Sequence, residues 1–343
     1  MIFSLVTGGS GFIGRHLVRL LRARGERVRV FDLRRDRSDD AGIEFLQGDI
    51  ADAPAVERAM AGAARVFHLA ANPNLWTRDP RDFDRVNLQG TLNVLAAAER
   101  HRPQRIVYTS TESILAGLRH RAVGGMIDET VVLDVADMPG PYCRSKFLAE
   151  RAALAAAARG LPVVVVNPTL PVGPGDRLMT PPSRMLVDFL NGRAPAYLET
   201  AVNVIDVRDA ALGHLLAAER GRPGQRYILG GENVTMTALL ALLEELSGRP
   251  MPKRRIPYWA AYAYAVLDEF VADRVTGRPP RAPLTGVRLA RHAMRFDNRL
   301  ALAELGLSPR PLRDSLTDAI AWFQREGLLQ ERVALPAEAR AGE

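Results

Sequence analysis

Only one cysteine, Cys143, stands in the 343 residues. That excludes an internal disulfide and any cysteine-rich zinc module, and makes a reducing, cytoplasmic setting the expectation. No stretch approaches the roughly 18 consecutive apolar residues that a bilayer-spanning helix requires. The opening Met1-Ile2-Phe3-Ser4-Leu5-Val6 carries no basic leader before a Gly-rich turn, so no cleaved signal is expected. The histidines His16, His101, His120, His214 and His292 are dispersed, without metal-ligand spacing, and no metal is expected. Aromatics are few, and the short basic runs Arg34-Arg35 and Lys253-Arg254-Arg255 do not sit among them in any nucleic-acid motif. The net charge of +7 therefore does not imply nucleic acid, though a basic surface suits anionic membranes or substrates.

What is present is a chain able to build a core, with 47% hydrophobic residues and 25% charged residues of both signs. Aliphatic runs read as strands at Phe3 to Val6, Arg27 to Phe31, Ile43 to Gln47, Arg65 to Leu69, Arg105 to Tyr108 and Val163 to Val166. Helical stretches lie between them at Ile13 to Arg24, Pro54 to Met60, Phe83 to Arg100 and Tyr142 to Ala158. This alternation implies an α/β fold of Rossmann type, a doubly wound parallel sheet with helices on both faces and ligands beyond the strand carboxyl ends. After Pro168, Pro171, Pro174, Pro181 and Pro182 interrupt the pattern, and beyond Gly230-Gly231 the chain reads as mostly helical. We therefore expect a nucleotide-binding domain over residues 1–170, with 201–229 returning to it. Residues 171–200 and 230–328 form a smaller, mostly helical substrate part, and 329–343 a flexible tail. The run Tyr258-Trp259-Ala260-Ala261-Tyr262-Ala263-Tyr264-Ala265 reads as a helix packed on the main domain, an apolar pocket wall or a membrane-touching face.

Strand one feeds Thr7-Gly8-Gly9-Ser10-Gly11-Phe12-Ile13-Gly14. Glycines so spaced allow a tight turn, close approach of a pyrophosphate and close helix–sheet packing, and the helix then offers its free N–H groups to phosphate. Asp32 ends the second strand, where a carboxylate bonds a ribose 2′-hydroxyl; this favours NAD, while Arg34 and Arg35 leave NADP open. In Tyr142-Cys143-Arg144-Ser145-Lys146 the tyrosine and lysine stand four apart on one helix face, so the cation is expected to favour the phenolate of an acid/base. Strand five ends in hydroxyls at Thr109, Ser110, Thr111 and Ser113, one of which would donate to a substrate carbonyl.

On these residues the chain resembles the extended short-chain dehydrogenase/reductase family, of the NAD-dependent epimerase/dehydratase type, over roughly residues 1–328. Gly8, Gly11 and Gly14 match its TGxxGxxG loop, Asp49-Ile50 its adenine-contacting pair and His68-Leu69-Ala70-Ala71 its HxAA turn. Asn87 matches its helix asparagine, Tyr142 and Lys146 its YxxxK, Thr111 its catalytic hydroxyl, and Asn167-Pro168-Thr169 its nicotinamide-side loop. The resemblance implies catalytic Tyr142, Lys146, Thr111 and Asn87. It implies a cofactor set of Gly8, Gly11, Phe12, Ile13, Gly14, Asp32, Asp49, Ile50, Leu69, Ala70, Ala71, Tyr142, Lys146, Pro168 and Thr169, and a homodimer through the helices of Asn87 and Tyr142. Met138 to Tyr142, Val172 to Asp176 and Tyr227 to Asn233 are similar to a branch of hopanoid-associated sugar epimerases, dihydroflavonol reductases and sterol dehydrogenases.

That family runs two reactions on one chemistry, a net reduction or oxidation and an epimerisation that regenerates its NAD. Its sugar-nucleotide epimerases carry an arginine for the diphosphate where this chain has Val202. Leu75, Trp76, Ile114, Leu115, Leu170, Met179 and Met185 follow the relevant strands and suggest an apolar pocket. The expectation is an NAD(P)-dependent dehydrogenase/reductase of an apolar sterol-, terpenoid- or hopanoid-related alcohol or ketone. An NAD-retaining sugar epimerase is the alternative, and a non-catalytic nucleotide sensor the third reading. Glu112 would be a lone second acid where dehydratases carry an adjacent pair, and Cys143 is read as packing.

Overall fold

The computed structural model describes residues 3–35, 42–118, 125–291 and 293–333. His120, His292 and the tail from Ala334 lie outside the described residues. The first part of the chain runs β1 (Phe3–Thr7), α1 (Phe12–Ala23), β2 (Val28–Asp32), β3 (Ile43–Gln47), α2 (Ala53–Met60), β4 (Ala63–His68), α3 (Arg81–Phe83), α4 (Gly90–His101), β5 (Arg105–Thr109), α5 (Pro141–Ala158) and β6 (Val163–Pro168). It continues through β7 (Leu170–Val172), α6 (Pro181–Leu190), β8 (Ala196–Leu198), β9 (Ala201–Asp206), α7 (Val207–Arg220) and β10 (Arg226–Leu229). The last stretch holds β11 (Glu232–Thr235), α8 (Met236–Ser247), β12 (Arg254–Ile256), α9 (Tyr258–Val271), α10 (Leu284–Leu289) and α11 (Leu312–Arg325).

Seven parallel strands form the central sheet in the order β10-β6-β5-β4-β1-β2-β3. Both faces are buried, which the side-chain period of two makes visible. On β6, Val164 and Val166 enter the core under α1 and α7, while Val163 and Val165 enter the opposite core under α2, α4 and α5. The strand order reverses between β1 and β4, which opens a crevice beyond their carboxyl ends.

The rest of the chain is less purely helical than its sequence suggests. A three-stranded sheet, β11-β9-β7, packs with α6, α8 and α11 around a third core, and β8 pairs with β12 in a two-stranded ribbon. Pro171 lies inside β7, and Pro181 and Pro182 open α6 instead of interrupting structure, because the first helical turn has no use for their missing N–H groups. The return to the central sheet is made by α7 and β10; β9 stays in the small sheet and hands over through Asp206, whose side chain caps α7.

Candidate active site

The loop between β1 and α1 is built so that only glycine fits at two points. Gly8 has φ +71°, and a Cβ there would stand 2.6 Å from the Ala70 nitrogen. A Cβ at Gly14 would stand 2.2 Å from the Gly8 carbonyl oxygen. Gly11 is the N-cap of α1 and no side chain caps it, so the first N–H groups of α1 stay available to an anion. Phe12 and Ile13 begin that helix, Phe12 buried edge-on to His16. At the end of β2, Asp32 accepts from the Ser10 nitrogen at 3.1 Å and the Arg34 nitrogen at 3.3 Å, and burial raises its carboxyl above the usual range.

Tyr142 lies in the first turn of α5, and Gly140 and Pro141 set where that helix begins. Thr111 stands beside the Tyr142 hydroxyl. It also donates to Glu112 Oε2 at 2.9 Å and caps the short turn Glu112–Ile114. Ser110 Oγ is buried, with no hydrogen-bond partner among the described residues. Burial pushes the Tyr142 phenol above its ordinary value, with Thr111 pulling the other way. Lys146 stands one turn further along α5. Its ammonium donates to the Thr109 carbonyl at 2.7 Å and lies 4.8 Å from the Tyr108 ring, and burial lowers its pKa to about 7 with Glu150 opposing.

Asn87 sits on a π-helical turn, Asp84–Gln89, between α3 and α4. Its Oδ1 accepts from the Asn72 nitrogen at 2.7 Å and its Nδ2 donates to Ser145 Oγ at 3.0 Å. It thereby ties the segment after β4 to α5, one residue from Lys146. Leu69, Ala70 and Ala71 form the turn after His68, with the Leu69 nitrogen on the Thr7 carbonyl. Asp49 and Ile50 stand apart from the tyrosine group, after β3: Asp49 pairs with Arg85 at 2.7 Å, and Ile50 packs beneath Gly90. Pro168 ends β6. Thr169 is buried, and its hydroxyl donates to Asn203 Oδ1 at 2.8 Å.

Three further features support these residues from behind. His68, neutral because burial lowers its pKa to about 3, is hydrogen-bonded to Thr7 Oγ1 at 2.8 Å and Thr91 Oγ1 at 3.0 Å. Ser145 joins Asn87 to the Tyr142 carbonyl. Glu150, four positions beyond Lys146, is buried against Arg226 and accepts from Asn167, which also donates to the Thr111 carbonyl. The expected apolar pocket does not form one group. Ile114 and Leu115 belong to the core around Tyr142 and Cys143, with Leu75 packed on it, whereas Leu170, Met179 and Met185 pack on the third core.

A doubly wound parallel sheet, a glycine loop after its first strand and a tyrosine–threonine pair at the carboxyl end of β5 define a Rossmann-type nucleotide-dependent enzyme. The chain belongs to the NAD dependent epimerase/dehydratase family, whose model matches residues 4–230, and NAD is its cofactor. It is 39% identical over 332 residues to a protein of Synechocystis sp. provisionally named dihydroflavonol 4-reductase, covering 95% of each chain. It is 34% identical over 331 residues to sterol demethylase protein B of Methylococcus capsulatus, covering 95% of this chain and 99% of that one. The crystal structure of a nucleoside-diphosphate-sugar epimerase from Pseudomonas aeruginosa superposes with a TM-score of 0.77 at 26% identity, covering 96% of this chain and 99% of that one.

Proposed function

We propose that the protein is an NAD(P)-dependent reductase or dehydrogenase of an apolar secondary alcohol or ketone, with Tyr142 as its acid/base. The observation that carries this reading is the position of the buried Tyr142 side chain, in the first turn of α5 beside Thr111, where it can exchange a proton with a substrate oxygen. NAD, when bound, supplies C4 of its nicotinamide as the hydride donor or acceptor. Thr111 holds the substrate oxygen in place and stabilises the charge it gains. Tyr142 gives that oxygen its proton during reduction and takes it back during oxidation. Lys146 and the Asn87–Ser145 pair fix the first turns of α5, so the phenol keeps its position through both directions.

The glycine loop suits a pyrophosphate: Gly8 and Gly14 permit its tight turn, and the start of α1 beside Gly11 carries no side-chain cap. Asp32 would take a ribose 2′-hydroxyl, and Arg35 lies over the Phe45 ring; both favour NAD over NADP. Against a sugar-nucleotide substrate stands Val202, buried in β9 opposite Val234, which presents no charge to a diphosphate. The named reductase and sterol-pathway relatives support the same choice, while the family model and the sugar epimerase keep the epimerase reading as runner-up.

The test reads nucleotide content and 340 nm absorbance of freshly purified protein, then turnover with apolar ketones and with UDP-sugars. The expected outcome is exchangeable nucleotide, net NADH oxidation with a ketone, and turnover in Tyr142→Phe lower by about 10²–10⁴-fold with nucleotide affinity nearly unchanged. NAD released only on denaturation, with sugar interconversion and no net absorbance change, would overturn the reductase reading.

A further inference from the structure

The helix α9 is apolar on two opposite sides. Its inner side packs through Ala261 and Ala265, both buried, and Ala272 continues that side into the π-helical turn Ala272–Thr276. Trp259, Ala263, Val266, Leu267 and Phe270 fall on the other side at helical spacing, and all are exposed, Trp259 at 73% and Leu267 at 65%. A helix apolar all round is normally covered on all sides.

Basic residues outnumber acidic ones around this outer face, six to three. The acids of the segment are tied to its own fold: Asp268 accepts from the Ala282 nitrogen, Glu269 from the Leu284 nitrogen and Asp273 from Trp76 Nε1. The bases are free. Lys253, Arg254 and Arg255 precede α9, Arg274, Arg278 and Arg281 follow it, and all six are exposed with no ion pair among the described residues. The apolar stripe thus has a basic cluster at each end, across a helix of about 20 Å.

We propose that this face docks the protein on anionic phospholipid surfaces, the side chains of Trp259, Leu267 and Phe270 entering the headgroup boundary and the two basic clusters meeting the phosphates. A second copy fits less well. Two-fold pairing of α9 with itself brings basic cluster against basic cluster in either orientation. No helix among the described residues is long and apolar enough to cross a bilayer, so the contact is interfacial.

The docking segment is also fastened to the loops beside Tyr142. Trp76, five residues after Ala71, is held by Asp273. Thr285 of α10 fills the space beside Gly140, and Arg288 donates to the Pro139 carbonyl at 3.1 Å, directly before α5. A substrate drawn from the lipid would meet the catalytic cleft beside the docked face. That delivery rests on the apolar-substrate reading above; the docking does not.

The experiment mixes the full chain with vesicles of phosphatidylcholine, with and without phosphatidylglycerol, and reads co-sedimentation and tryptophan emission. Binding is expected on the anionic vesicles, weaker by about tenfold without phosphatidylglycerol or at high salt. A blue shift should accompany it and vanish in Trp259→Phe. Leu267→Ser with Phe270→Ser, and separately Arg254→Ser with Arg255→Ser, should each weaken binding by about tenfold or more. Unchanged thermal stability and NAD affinity would show that these variants remain folded. Failure of the wild type to bind anionic vesicles, or variants that bind as it does, overturns the proposal. So does a concentration-dependent dimer that leaves the vesicles unbound and is abolished by the Leu267/Phe270 variant. Because vesicle binding is read without turnover, failure of the reductase reading leaves this result untouched.

Discussion

At the end of β2 the proposed ribose contact of Asp32 can be separated from its bond to the glycine loop. Asp32 already accepts from the Ser10 nitrogen of the glycine loop, so its removal loosens the loop for any nucleotide. A bond to a ribose 2′-hydroxyl would be lost for NAD alone. A hydrogen bond to a charged group contributes ~1.5–3 kcal/mol, so Asp32→Ala should weaken NAD at least about tenfold more than NADP in a fluorescence titration. Equal losses would leave Asp32 with only its loop role. Residues of this kind were legible because their chemistry is local. Gly8 and Gly14 are demanded by the backbone itself, and Tyr142 and Lys146 share a face by spacing. Thr169 and Lys146's own hydrogen bond were not. The partner of Thr169 is Asn203, in another sheet, and the ammonium is turned to a strand carbonyl that only the assembled fold brings near.

Among the elements, the helix expected over Phe83 to Arg100 is three pieces: α3, the π-helical turn Asp84–Gln89 and α4. Apolar periodicity identifies such a stretch as helical but is blind to one extra residue in a turn. That extra residue belongs to the stretch that carries Asn87. Its side chain joins the Asn72 nitrogen to Ser145, so Asn87→Ala leaves a partly buried N–H without its acceptor. The variant should lose ~1–3 kcal/mol in urea denaturation and lower kcat more than it raises KM, since α5 is what it steadies. A change confined to stability would make Asn87 a packing residue only. The short strands β7, β8, β11 and β12 were invisible for a related reason. Three or four residues show no alternation, and their partners lie elsewhere in the sequence, as with Leu170 beside Val204.

Across the whole molecule the repeated strand–helix unit announced the central sheet, because burial on both faces makes each strand a continuous aliphatic run. The same burial encloses three histidines and sets how the protein meets acid. Burial lowers His16 to about 4, His68 to about 3 and His214 to about 4, against an ordinary 6.5. Each folded-state pKa is depressed, so between those values and 6.5 the unfolded chain binds more protons than the native one. Stability is therefore fully present above about pH 6.5 and lost as pH falls through the folded values. Near pH 5 the three together imply a slope of up to ~4 kcal/mol per pH unit. Asp32 and Glu112, raised by burial, carry the opposite sign and blunt the slope at its acid end. Denaturant unfolding at steps between about pH 4.5 and 6.5 should show this fall, and His68→Asn should reduce the slope by about one proton whatever it does to absolute stability. A variant slope equal to that of the wild type would mean that His68 is protonated in the native protein, and that the Thr7–His68–Thr91 connection between β1 and α4 does not depend on a neutral imidazole.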